Sequence, residues 1–107
     1  MRQVEVYYKE ELAGYLTEHS TEDYTYQYTR EWIENDSKSA ISLTLPKTLE
    51  VYTSKYLFAF FHNMLPEGTN RKVICLHNKI DPHDYFSLLI KTAAYDTIGA
   101  VTVKQIR

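Results

Sequence analysis

Val4, Val6 and Tyr8 alternate with Gln3, Glu5 and Tyr7, the two-residue period of a strand with one buried face. After Lys9-Glu10-Glu11 comes a second apolar run, Leu12-Ala13-Gly14-Tyr15-Leu16, close enough to fold back as its hairpin partner. Tyr24, Tyr26 and Tyr28 then alternate with Thr25, Gln27 and Thr29, which puts tyrosines on one face of a third strand and polar residues on the other. The first third of the chain therefore reads as an antiparallel meander.

The period then changes. Thr29 can cap one helical turn through Ile33, which stops at the turn-forming Asn35-Asp36-Ser37 and makes Trp32 a core plug. Ile41, Leu43 and Leu45 predict a short strand ended by Pro46, which cannot donate to a ladder. From Ser54 to Leu65, Tyr56, Leu57, Phe60, Phe61, Met64 and Leu65 recur at steps of three and four, a helical stripe. Pro66 and Gly68 break it, and Thr69 can cap a second helix carrying Val73, Ile74 and Leu76 on one side. Asp81 as N-cap with Pro82 at the first helical position predicts a third helix, burying Tyr85, Phe86, Leu88, Leu89 and Ile90. Ile98 to Val103 returns as a strand and closes the sheet where the chain began. The expected fold is α+β: one domain over residues 1–107, a mainly antiparallel sheet of about four to five strands with three helices packed on one face.

Composition narrows the function more than the fold. With 107 residues, 44% hydrophobic and 24% charged, the chain suits a single buried core. The ten tyrosines suit aromatic cover for a small sheet, and also a protein interface. The net charge of −2 and the scattered Lys and Arg argue against direct nucleic-acid binding. No apolar run approaches the roughly 20 residues that cross a bilayer, and the N-terminus lacks a signal-peptide core, so the expected address is the cytoplasm. The lone Cys75 fits that compartment.

Candidate chemistry is sparse. Gly14, Gly68 and Gly99 lie too far apart for a phosphate-cradling loop. Cys75 and His77, two apart on a predicted helix, point to different faces, and His19, His62 and His83 are isolated. Asp81 and Asp84 are accounted for by helix capping, and no G-x-S-x-G elbow occurs. No catalytic residue, cofactor or metal is expected.

One stretch carries a resemblance. Phe60-Phe61-His62-Asn63-Met64-Leu65-Pro66-Glu67-Gly68 resembles the F-F-x-N-L-L-P-E-G signature in the N-terminal subdomain of the HipA family of toxin kinases. Ser42-Leu43-Thr44-Leu45-Pro46 is similar to the family's S-L-S-L-P upstream, and Arg71 lies where its next helix is basic. Asp81-Pro82-His83-Asp84-Tyr85-Phe86 with Leu88-Leu89 is similar to I-D-x-x-D-x-F-x-L-L, and Asp96-Thr97-Ile98-Gly99-Ala100-Val101 to D-x-x-G-A-V. In that family the subdomain precedes a larger kinase body with the ATP-binding loop, catalytic Asp and metal ligands, none of which has a counterpart here.

The resemblance implies a split toxin–antitoxin arrangement. The small domain is a non-catalytic regulatory module that docks on a separately encoded HipA-like serine/threonine kinase and restrains it, with a helix-turn-helix DNA-binding protein as a further partner. The alternatives are a structural subunit that completes a split kinase, or a component of a repressor complex. The expected partner-binding residues are Asn63, Pro66, Glu67, Gly68, Thr69, Asn70 and Arg71, in a turn whose Pro-Glu-Gly chemistry would equally suit a plain helix–helix connection. Thr69 stands where many family members carry a bulky residue, which argues against insertion of a large side chain into a kinase cleft.

Overall fold

The computed structural model describes residues 1–93 and 100–106. Strands β1 (Arg2–Tyr8), β2 (Glu11–Ser20) and β3 (Asp23–Tyr28) form the expected meander. The β1–β2 turn is the two-residue Lys9-Glu10, both at positive φ (49° and 69°), the conformation whose twist matches a tight hairpin. An irregularity in register between Val6 and Tyr7 sets Val6 opposite Gly14 and Tyr7 opposite Leu12. Ala13 is thereby left over in β2, and its carbonyl accepts from Thr29 N–H at 2.9 Å.

After β3 come helix α1 (Arg30–Glu34), strand β4 (Tyr52–Ser54), helices α2 (Ala59–His62), α3 (Gly68–Asn78) and α4 (Tyr85–Thr92), and strand β5 (Val101–Gln105). The sheet order is β4-β3-β2-β1-β5, antiparallel throughout, so the first and last strands are neighbours. This is the expected α+β architecture. Of the expected Ile98–Val103 strand, Ile98 and Gly99 lie outside the described residues, and β5 runs on to Gln105.

Register puts one residue set on the core face: Val4 and Val6, Gly14 and Leu16, Tyr24, Tyr26 and Tyr28, Val101 and Val103. The helices supply Trp32, Phe61, Phe86, Leu88 and Leu89 against it, all buried. Tyr26 is fully buried, edge-on to Tyr28 with centroids 4.9 Å apart and 5.7 Å from Phe61. Its phenol end lies over Gly14, where an added Cβ would collide with the Tyr26 hydroxyl and the Gln27 carbonyl. Trp32 fills the expected place: its backbone N–H is capped by Thr29 Oγ1 at 3.2 Å and its indole N–H donates to Ser39 O at 2.9 Å.

Four local expectations are corrected. Ile41–Leu45 is a tight turn with a lone bridge between Ser42 and Leu45, and the edge strand is β4. The alternation arises because the Tyr28 hydroxyl donates to Leu45 O and accepts from Ile41 N–H, drawing Ile41 and Leu45 inward and leaving Leu43 99% exposed. The long 54–65 helix is only α2. Ser54 ends β4, Tyr56 is exposed, and Leu57, Phe61 and Leu65 are buried without a continuous helix beneath them. Helix α3 starts at Gly68 with Glu67, not Thr69, at its N-cap, and Val73 and Leu76 face outward while Cys75 is buried. Helix α4 is capped by Asp84, whose carboxylate accepts from Ser87 N–H, while Asp81 and Pro82 form the preceding turn, with Asp84 N–H donating to Asp81 O at 2.9 Å. Among the described residues no helix is long and apolar enough to cross a membrane.

Candidate partner-binding site

The connection between α2 and α3 is anchored from below and open above. Phe61 and Leu65 are buried in the core, Pro66 is half-buried, and Asn63, Glu67, Gly68, Thr69 and Asn70 are exposed. Gly68 holds φ +56° with nothing within 4 Å of a would-be Cβ, so glycine is needed there for backbone conformation and not for space. Six of the seven residues expected at the site thus line one accessible turn.

Arg71 differs from them. Its Nε donates to Pro66 O at 2.9 Å and its guanidinium lies 5.6 Å from the Tyr85 ring centroid. On the same ring, His62 packs edge-on at 5.0 Å. Arg71 therefore braces the turn against α4 and shows solvent only part of its side chain.

Beside this brace lies a groove of about 260 Å3 lined by Thr21, Tyr24, Tyr56, Leu57, His62 and Tyr85. Tyr56 is 70% exposed and Tyr24 nearly buried, so the groove has an aromatic rim and an aromatic floor. Burial pushes the Tyr24 phenol up to about 12, reinforced by its hydrogen bond to Glu18 at 3.1 Å, so it stays a neutral donor at physiological pH.

A charged network underlies that floor. Arg2 donates to Glu18 at 2.8 Å, to Asp84 at 2.9 Å and to the Ser87 hydroxyl, and it lies over the Phe86 ring. Burial works against the Asp84 carboxylate, but hydrogen bonds from Arg2 and Ser87 outweigh it and hold Asp84 below its ordinary range. The network fixes the N-terminus of α4, and so Tyr85, to β1 and β2.

The residues missed from sequence are Tyr56, His62 and Tyr85. Tyr56 and Tyr85 fitted apolar helical stripes and His62 stood alone, so no local pattern joined them; the Arg71–Tyr85–His62 stack is a tertiary contact. Among the described residues no three His, Cys, Asp or Glu side chains gather as a metal site. The arrangement is an exposed turn, braced by Arg71, beside an aromatic groove.

Residues 4–104 match the sequence profile described as the HipA N-terminal domain. Y4mE of Sinorhizobium fredii, which carries the name of a kinase, is 26% identical over 101 residues, covering 94% of this chain and 24% of that protein. An uncharacterized protein of Haemophilus influenzae is 31% identical over 65 residues, 61% of this chain and 60% of that one. The chain thus spans less than two thirds of either relative. A solved structure of the N-terminal domain of a HipA toxin superposes with a TM-score of 0.73 at 24% identity, over 100% of this chain and 94% of that one.

Proposed function

The chain belongs to the HipA N-terminal domain family, and from that membership we propose that it is a non-catalytic regulatory module that docks on a HipA-like serine/threonine kinase and restrains it. The observation that carries the reading is the match over residues 4–104 to a domain that forms only a quarter of the kinase-named relative. A domain related to one piece of a larger protein has, in the rest of such a protein, a natural surface to bind.

The exposed turn of Asn63 and Pro66 to Asn70, braced by Arg71, is the contact in this reading. The proline, the left-handed Gly68 and the Arg71–Pro66 hydrogen bond restrict its backbone, which limits the conformational entropy lost when a partner covers it. Restraint requires only tighter binding to the inactive kinase conformation: a difference of about 3 kcal/mol moves a two-state equilibrium by about two orders of magnitude.

The test is co-purification with a HipA-like kinase of the same organism, followed by a phosphorylation assay with the chain added or withheld. A stable complex with lowered kinase activity is the expected result. Activity that appears only when both chains are present would make the domain a required subunit of a split kinase, and no complex would refute both.

A further inference from the structure

Helix α3 is turned the wrong way for a helix that serves only the core. At 100° per residue, Thr69, Val73 and Leu76 fall on one side, and Arg71, Ile74 and Cys75 on the other. The second side meets the domain: Cys75 is buried, and Arg71 and Ile74 are half-buried. The first side carries Val73 at 57% exposure and Leu76 at 85%, a stripe about 10 Å long at the usual helical rise.

The stripe is flanked by charge of one sign. Between Glu67 and Asp81 the sequence has Arg71, Lys72 and Lys79 and no acidic residue, in a chain whose net charge is −2. Lys72 is exposed along one edge of the stripe, His77 and Asn70 along the other, and Lys79 is exposed at the left-handed C-cap just past the end of the helix. Among the described residues neither lysine forms an ion pair. Thr69, at one end of the stripe, belongs to the proposed docking turn, so turn and stripe form one continuous surface.

We infer that the outward face of α3 is a docking face for the kinase chain, and that the kinase surface it meets is apolar at its centre and acidic at its edge. This rests on the docking reading above and extends it along the helix. An apolar centre with a charged rim is the ordinary anatomy of a protein interface. Two exposed apolar side chains are too few to hold a helix in a bilayer, and a phosphate backbone has no use for them. Two copies of this chain meeting through α3 would bring lysine edges of the same sign together.

The experiment measures the dissociation constant between the full chain and a HipA-like kinase of the same organism at two salt concentrations, for the wild type, Leu76→Asp and the double variant Lys72→Glu/Lys79→Glu. All three positions are exposed, and an unchanged melting temperature confirms that each variant is folded. The expected result is binding weakened about tenfold or more by Leu76→Asp. The lysine variant is expected to weaken binding at low salt and to flatten its salt dependence. Wild-type affinity in both variants would overturn the α3 face while leaving the kinase as partner. Absence of wild-type binding would overturn the docking reading and this inference together. Self-association abolished by Leu76→Asp, or its loss of binding to phosphatidylserine vesicles, with kinase affinity unchanged, would assign the face to a second copy or to a membrane and overturn the inference.

Discussion

The hydroxyls of Tyr26 and Tyr28 lie two residues apart on the same face of β3, with opposite circumstances. The Tyr28 hydroxyl donates to Leu45 O and accepts from Ile41 N–H at 3.1 Å, holding both ends of the Ile41–Leu45 turn. The Tyr26 hydroxyl is buried over Gly14 with no hydrogen-bond partner among the described residues, and burial pushes its pKa far up. A buried polar group without a partner retains its desolvation cost, whereas removing one member of a bonded pair strands the other. Tyr28→Phe is therefore expected to lower unfolding stability by about 1–2 kcal/mol, and Tyr26→Phe to leave it unchanged or raise it. Urea denaturation of both variants checks this; an equal loss in the two would contradict it. The alternation of tyrosines shows in the sequence that all three share a face, but which hydroxyl finds a partner depends on a turn 13 to 17 residues downstream.

At the scale of elements, the polar network of Arg2 joins β1, β2 and α4, since it bonds Glu18, Asp84 and Ser87. Asp84 is held below its ordinary 3.8, so its ionised form stabilises the fold above that pH, and the contribution fades as pH falls through the lower folded value. Asp84→Asn keeps an N-cap acceptor for α4 and removes the charge. The melting temperature of the wild type is expected to exceed that of Asp84→Asn at pH 6, with the gap narrowing as pH drops below 3.8; a gap that does not change with pH would refute the coupling. Asp84 also shows where sequence reading stopped. Asp81-Pro82 carries the better local start signal, but Arg2 and Ser87 reward a start at Asp84, and Arg2 is 82 residues away in sequence. The meander, the capped turn at Thr29 and the return of the last strand were legible because each follows from local period or capping. The 54–65 stripe misled because Leu57, Phe61 and Leu65 are drawn into the core by their neighbours, with only one helical turn among them. At the site, the Pro66-Glu67-Gly68 turn was legible from its own residues, whereas the groove of Tyr24, Tyr56, His62 and Tyr85 is assembled from β3, α2, α4 and the segment after β4.

Across the whole molecule, stability is unevenly spread, and the uneven part coincides with the proposed contact surface. Strand β1 lies between β2 and β5, so the first and last strands of the chain protect one another, and opening β1 requires dismantling the sheet. Helix α3 has no such protection. It is joined to the body through Cys75, Ile74 and the Arg71 brace, its N-cap Glu67 makes no side-chain hydrogen bond, and its outer residues face solvent. Segments with few buried apolar contacts open at lower free energy than the global unfolding reaction. Amide hydrogen exchange of the isolated chain should therefore show β1, β2 and β3 exchanging only through global unfolding, and α3 exchanging faster through local opening. In the complex with the kinase the ranking should change: if the turn and the outer face of α3 are covered together, residues 68–78 gain protection while those of the sheet gain only what the binding free energy adds to global stability. A complex in which α3 exchanges as fast as in the free chain would place the kinase elsewhere on the domain, and the loosely held helix would then be an ordinary surface element beside the turn.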